Sequence, residues 1–541
     1  MLLANRHGVT MGSGQQKLTS SLGRTTLRAA GPGAPLVQRQ TSSRKPQSGR
    51  GEVRRLLSAT AFTILLGPSL GACALVGPTY VRETAVVSKT YKESKGWKVA
   101  APGDAFERDA WWSIYEDPRL DFLVRQVEIS NQTVKAAAAN YEQARAIIRK
   151  SQASLFPTLG ISAGITRMRA GPQSAGGLSG PPIYTTTTSY NPQVSGSWSP
   201  DVWGKIRRQI ESDAAVAQAS AADLANAKLA AQAMLVTAYF NLSATDSLRA
   251  LLDRTVSEYR NTLKIMRNQV AVGTISRLDT AAIETQLLNA EAQAINTEVQ
   301  RSQLEHAIAV LMGHPPADLT ITVRSLPQQI PDIPVTVPSL LLERRPDVAA
   351  AERQMQEQNA LIGVAAAAYY PNINLGGTIG LSAALPLNAA DLAWSLGASA
   401  AETLFDGGSR SADVAAARAA YRQSVANYRQ TVLIAFQQVE DQLSAIRILK
   451  RQVEVADGAV NVARRSRENF LNQYRLGVVD LTTVIVAQST LLESEQAALA
   501  TRQSLFVASA SLIEALGGGW DASQLPTKKE LAEGFSALSK L

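Results

Sequence analysis

The sequence predicts an α+β membrane protein with an internal two-fold repeat: four transmembrane β-strands per chain, continuous with far longer α-helices. Three observations predict it. Two stretches of more than a hundred residues lack proline and keep helical spacing, shorter segments before them alternate with period two, and the pattern recurs about 204 residues later.

The helices are the plainest element. From Lys205 to Met312 there is no proline, and the only glycine is Gly273. Apolar residues recur at helical intervals, as in Leu235, Ala238, Tyr239 and Leu242. Ser409–Leu516 repeats this, interrupted only by Gly458 and Gly477. Each stretch reads as a helical hairpin that turns at a matched glycine, Gly273 or Gly477. Arg207–Asn268 alone would be roughly 90 Å long at 1.5 Å per residue. That length suits a tube or coil and not a compact domain.

The strands lie between Pro157 and Arg207 and between Pro371 and Arg410. Leu159, Ile161, Ala163 and Ile165 alternate with small or polar residues, as do Val194, Gly196 and Trp198. The second copy offers Ile373, Leu375, Gly377, Ile379 and Leu381, then Trp394, Leu396, Ala398 and Ala400. Segments of about ten residues with this alternation fit transmembrane strands. A soluble two-hairpin sheet packed on helices has the same period. Four strands cannot close a barrel, and a strand edge facing lipid is not tolerated, so spanning strands must be pooled with other copies. Two copies give eight strands and a filled interior; three give twelve and a water-filled lumen.

The repeat fixes the organisation. Gly273 matches Gly477, Leu287-Leu288 matches Leu491-Leu492, and Gly313 matches Gly517, all 204 residues apart. Arg207 matches Arg410 at 203, and Phe156-Pro157 matches Tyr370-Pro371 at 214. The jump places eleven extra residues in the first copy, and the Gly/Pro/Thr-rich Gly171–Thr188 reads as a longer loop. The expected divisions are a leader and signal over 1–72, an extension over 73–110, a first half over 111–313, a linker over 314–337, a second half over 338–520 and a tail over 521–541.

Charge removes nucleic acid as a partner. The net charge is +9, but the first 55 residues hold ten basic side chains and one acid; the remaining 44 basic and 44 acidic residues cancel. A nucleic-acid-binding fold keeps a basic face on its folded part. The three histidines, His7, His306 and His314, form no metal-ligand spacing, and no P-loop, strand-borne GxGxxG or GxSxG occurs. No cofactor is expected, and an enzyme is the least favoured class.

Arg54-Arg55, the apolar run Leu56–Leu66 and Leu70-Gly71-Ala72-Cys73 form an export signal whose apolar run is too short to span a bilayer. Leu-Gly-Ala-Cys resembles the bacterial lipobox, which makes Cys73, the sole cysteine, a lipid-bearing mature N-terminus in place of a buried thiol. Ala74 after it favours the outer membrane under the usual sorting rule for such lipoproteins. The polar residues 1–52 do not fit a signal, and Val53 is a candidate start if its codon is GTG.

Several motifs then resemble one family. Val76-Gly77-Pro78-Thr79-Tyr80, Trp111-Trp112, Asp117-Pro118-Arg119-Leu120, Leu341 to Val348 (LLERRPDV), Phe405-Asp406-Gly407-Gly408 and Leu516 to Trp520 (LGGGW) resemble the TolC-like outer-membrane efflux proteins, in their NodT-type lipoprotein branch. The resemblance runs from Cys73 to Trp520. It implies a homotrimer with a twelve-stranded barrel in the outer membrane, among outer-membrane lipids, and a long α-helical barrel in the periplasm. It also implies an inner-membrane pump and a periplasmic adaptor (membrane fusion) protein as partners. The function implied is a passive exit duct for drugs or other small molecules. A type I protein-secretion duct is the alternative within the fold, and a non-transporting coiled-coil lipoprotein is the alternative outside it.

By the same resemblance the hairpin turns Val270–Arg277 and Tyr474–Leu481 form the periplasmic tip that meets the adaptor. The expected contact residues are Gly273, Thr274, Ser276, Arg475, Gly477 and Val478. Glycine suits such a turn because it takes positive φ without strain. Family members place aspartates just past the turn, where a trimer makes an acidic ring. Asp279 and Asp480 are the candidates for a pore gate, although each is equally placed to cap its helix and face water. The usual Leu-Asp-Ala-Gln is here Ile485-Val486-Ala487-Gln488, so Val486 stands where a deeper carboxylate is expected. The expectation is an aperture closed partly by apolar side chains, with weaker cation selectivity.

Overall fold

A computed structural model describes residues 75–84, 88, 90–93, 110–170, 185–273, 275–333, 342–381 and 392–532. The first copy holds α1 (Pro118–Ser130), α2 (Gln132–Ala153), β1 (Thr158–Ser162), β2 (Ile165–Ala170), β3 (Thr185–Tyr190), β4 (Gln193–Trp198), α3 (Lys205–Ala271) and α4 (Arg277–Leu311). The second holds α5 (Pro346–Ala367), β5 (Asn372–Leu381), β6 (Leu392–Ala401), α6 (Ser409–Arg475) and α7 (Leu481–Ala515), followed by a short α8 (Lys528–Ala532). The repeat is exact in helix length: α3 and α6 have 67 residues each, α4 and α7 have 35, and α2 and α5 have 22. A 67-residue helix is about 100 Å long.

Two sequence expectations are corrected. The long helices begin at Lys205 and Ser409, 204 residues apart, so Arg207 and Arg410 are one position out of register and the excess in the first copy is ten residues, not eleven. Both arginines nevertheless do one job. Arg207 bonds Asp201 at 3.1 Å and Arg410 bonds Asp406 at 2.7 Å, while each aspartate also accepts backbone N–H groups at its helix start. The orphan amides there explain the arrangement. The second correction concerns the loop Gly171–Thr188: its last residues, Thr185–Thr188, belong to β3.

The strands form one antiparallel set. The order is β1-β4-β5-β6, with β2 pairing β3 beyond it. Register separates two faces. Ile161, Val194, Ile379 and Trp394 lie in one row across the sheet, and Leu159, Gly196, Gly377 and Leu396 in the next. On the other face the rows are Gly160, Ser195, Thr378, Ser395 and Thr158, Ser197, Gly376, Gly397. Hydroxyl pairs join neighbouring strands there, Thr158 to Ser197 at 2.9 Å and Thr378 to Ser395 at 2.8 Å. Leu159, Ile161, Trp394 and Leu396 are all at least 74% exposed, so one face is apolar and uncovered while the other is small and polar. This is the alternation of a membrane strand with a lipid side and a lumen side. Among the described residues no helix is long and apolar enough to cross a membrane.

The helices form a layer. Near the strands α3 lies between α2 and α5, and α6 packs on α5; at the far end α3 lies between α4 and α7, and α6 packs on α7. The core sits in the middle of this layer, with Phe240 packed 4.8 Å from both Tyr115 and Phe506 between ring centroids. The Tyr115 hydroxyl meets Ser509 Oγ at 2.8 Å. Residues 315–333 cross the layer as a strap: Arg324 N–H donates to Asp246, Leu326 N–H to Ser247 Oγ, and Arg301 pairs with Asp246 at 2.8 Å.

The family-like motifs are joints in this frame. Asp117 caps α1 and accepts the Tyr239 hydroxyl at 2.7 Å. Asn131 caps α2 and donates to the Leu311 carbonyl at 2.7 Å, closing the end of α4. Its counterpart 214 residues on, Arg345, donates to the Ala515 carbonyl at 2.9 Å and closes the end of α7, held by Asp347 at 2.6 Å. Gly313 and Gly517 follow these ends with φ of 71° and 94°, each so close to the facing backbone that a side chain would collide.

Candidate functional site: hairpin turns, groove and anchor strap

The two hairpin turns are built alike. Gly273 and Gly477 take φ of 78° and 72°, and a Cβ on either would meet nothing within 4 Å. Glycine is therefore needed for backbone conformation and not for close packing. Gly477 N–H donates to the Tyr474 carbonyl and Val478 N–H to the Gln473 carbonyl, both at 2.9 Å, which ends α6. Ser276 Oγ accepts from Leu278 N–H at 3.1 Å as α4 starts. Thr274 lies outside the described residues, and of Asp279 only the backbone, in the first turn of α4, is described.

The fold brings the two turns together. Tyr474 donates its hydroxyl to Gln269 Oε1 at 2.9 Å, and a small core of Tyr259, Met266, Ile283, Leu481 and Val484, with Phe470 of α6 packed on it, joins the four helices behind them. Arg475 ends α6 with its side chain exposed. Val272, Leu278, Leu476 and Val478 point into solvent, leaving an apolar tip. An exposed apolar patch on an otherwise polar helical end marks an interaction surface.

Asp480 is the N-cap of α7, accepting the Thr483 N–H at 2.9 Å and the Thr483 hydroxyl at 2.7 Å. Those bonds hold its carboxyl below the usual carboxylate range. It opens a groove of about 890 Å³ between α6 and α7, lined also by Val462, Phe470, Thr483, Val486 and Thr490. Val486 is 59% exposed in this groove, while its neighbour Ile485 is buried. Asp480 and Val486 thus share one groove. Gly458, the second interruption in the helical pattern, lines it too, with open space where a side chain would stand.

At the opposite end of the helices, the chain that follows Cys73 is bound in place from Val76 onward. Cys73 itself lies outside the described residues. Val76 N–H donates to the Trp203 carbonyl, and Arg208 donates to the carbonyls of Val76 and Gly77 at 3.0 and 3.1 Å. Farther along, Asn359 donates to the Pro78 carbonyl, and Glu440 accepts the N–H groups of Lys92 and Glu93. The strap starts where β4 hands over to α3. Sequence reasoning missed this role for Gly77 and missed the Asn131–Arg345 equivalence, although the 214-residue offset could have found the latter.

The family model described as "Outer membrane efflux protein" matches residues 123–314 and 337–518, the two copies in turn. The chain belongs to the outer membrane efflux protein family. This family member is an outer-membrane efflux channel and not an enzyme. It is 27% identical over 471 residues to the toluene efflux pump outer membrane protein TtgC of Pseudomonas putida, covering 86% of this chain and 95% of that one. Nodulation protein T of Rhizobium leguminosarum bv. trifolii is 28% identical, with 85% and 97% covered. A relative named "Probable outer membrane lipoprotein SilC", from Salmonella typhimurium, is 26% identical, with 86% and 99% covered. Among solved structures, the outer-membrane channel OprN superposes with a TM-score of 0.76 at 27% identity, covering 83% of this efflux protein and all of that chain. The Campylobacter jejuni CmeC channel, at 22% identity and a TM-score of 0.77, shares the fold.

Proposed function

We propose that three copies of this efflux protein close a twelve-stranded barrel and a helical tube, forming a passive exit duct for drugs or other small molecules. One observation carries the proposal: among the described residues, the outer edges of β1 and β6 pair with nothing, and the helical layer likewise ends in uncovered edges at α4 and α6. An open edge cannot stand in lipid. Three chains of four strands give a lumen, which the Ser/Thr/Gly face would line, whereas two would fill it.

The 67-residue helices suit the periplasm, and the apolar tip suits a periplasmic adaptor, with Gly273, Thr274, Ser276, Arg475, Gly477 and Val478 in the contact. The adaptor would link the duct to an inner-membrane pump. Cys73 would carry the lipid, since the strap that follows it begins beside the strand–helix junction. Asp279, Asp480 and Val486 would set the aperture. The proposed boundaries remain 111–313 and 338–520 for the two halves, with 314–337 between them.

Native mass spectrometry of the detergent-extracted protein tests the assembly. A trimer that converts to monomer only on heating is the expected result. A stable monomer or dimer sinks the twelve-stranded barrel. Complementation of a strain lacking its own efflux duct, scored by drug accumulation, tests the cargo.

A further inference from the structure

We propose that Arg167 and Arg169 form a site for phosphorylated lipid headgroups at the outward rim of the barrel. The proposal rests on the reading that the sheet spans the outer membrane with its helices inward.

Strand register carries it. β1 pairs β4 and β2 pairs β3 in one unbroken register, because Gly164 and Asn191 exchange both backbone hydrogen bonds between them, at 3.3 and 2.8 Å. No extra residue resets the alternation there. Leu159, Ile161, Ala163, Ile165, Arg167 and Arg169 therefore leave the same face of the strand. That face is the apolar one, shared with Val194, Ile379 and Trp394. Thr166 and Met168 leave the opposite face at this level.

The position along the strand fits as well. From Leu159 to Arg167 the chain rises about 26 Å, and to Arg169 about 33 Å. With a strand tilt of about 40° these become roughly 20 and 25 Å, and the apolar band of a membrane barrel is about 25 Å tall. The guanidinium groups thus arrive where hydrocarbon gives way to headgroups, just beyond Tyr190, which pairs with Ile165 as a rim aromatic. A cation near the midplane is costly and one at the interface is not.

Arg167 and Arg169 are both exposed on this face. Their cross-strand partners are Thr188 and Thr186, which add hydroxyl donors on the same face. Two forked guanidinium groups flanked by hydroxyls match a phosphomonoester, which accepts bidentate hydrogen bonds.

The test uses the full-length protein in phosphatidylcholine nanodiscs containing a minor fraction of phosphatidic acid, whose headgroup is a phosphomonoester. Native mass spectrometry counts retained phosphatidic acid. Wild type should retain it, and the Arg167→Gln/Arg169→Gln double variant should bind it about thirtyfold more weakly, the size expected for two interfacial arginines. Arg167→Lys/Arg169→Lys should keep most of the binding, and Lys205→Gln, at the helical rim, should change nothing. Equal retention by wild type and the double variant overturns the proposal. So does a shift in pore ion selectivity in the double variant with lipid retention unchanged, since the arginines would then face the lumen. Quenching of tryptophan fluorescence by brominated lipid separates the two readings, because Trp198 and Trp394 lie on the apolar face. No quenching defeats the spanning reading itself; quenching with equal retention defeats only the lipid site.

Discussion

Gly77 lies against Gly363 so closely that a Cβ added to Gly77 would stand 2.4 Å from the Gly363 Cα. The converse holds: a Cβ on Gly363 would stand 2.8 Å from the Val76 carbonyl oxygen. Two backbones meet with no side chain between them, and Gly77 also takes a φ of 96°. The contact presses the strap following Cys73 onto α5, where Arg208 can reach its carbonyls.

Gly363→Ala should therefore lift the strap. We expect a loss of about 1–3 kcal/mol, the usual penalty for overpacking a close contact. Limited proteolysis should cut the variant near residues 75–84 and leave the wild type intact there. Unchanged cleavage would remove the strap's structural role.

Arg345→Ala should destabilise the junction of α5 and α7 by about 3 kcal/mol, because it leaves Asp347 and the Ala515 carbonyl without their buried partner. Asn131→Ala, in the first copy, removes a neutral bond and a cap and should cost less, about 1–2 kcal/mol. Thermal melting of both variants checks the order; equal losses would mean that charge plays no part.

Phe240→Ala should cost about 3–5 kcal/mol through the cavity left between Tyr115 and Phe506. Phe240→Leu should recover most of it. Chemical denaturation of the detergent-solubilised protein measures both.

The tip should respond to acid through Asp480. Its carboxyl is held low by the Thr483 N–H and hydroxyl, so the folded value lies below the unfolded one of about 4. The cap's contribution is then fully present above that unfolded value and is lost as pH falls through the folded one. Hydrogen exchange of the first amides of α7, corrected for intrinsic rates, should accelerate in that acid window. In Asp480→Ser, whose cap does not titrate, the window should vanish; an identical profile would exonerate Asp480.

Val486→Asp should raise cation selectivity in planar bilayers, because it puts a carboxylate in the groove that Asp480 already opens. An unchanged cation preference would show that Val486 does not border the conducting path.

Much of this was legible in the primary structure because it depends on local periodicity. A proline-free helical pattern with matched glycines gives two hairpins wherever it occurs, and equal copies must give helices of equal length, as α3 and α6 do. Strand alternation likewise marked an apolar and a polar side before any pairing was known. The loop end at Thr185–Thr188 was misread because a threonine run has no alternation to display; pairing with β2 makes it a strand. At the proposed gate, Asp480 and Val486 stand six positions apart in the sequence, which leaves open whether the aspartate caps α7.

The sequence by itself determined the repeat, the four strands and the hairpin turns, since each is a matter of spacing along one chain. Only the tertiary structure decided that Asn131 and Arg345 close helix ends some 180 and 170 residues away, that Gly77 rests on Gly363, and that Tyr474 ties one turn to Gln269 in the other. Those contacts join residues far apart in the chain, and no local pattern encodes them. They exist because buried carbonyls must find donors and crossing backbones must find room, and packing alone settles which partners can meet.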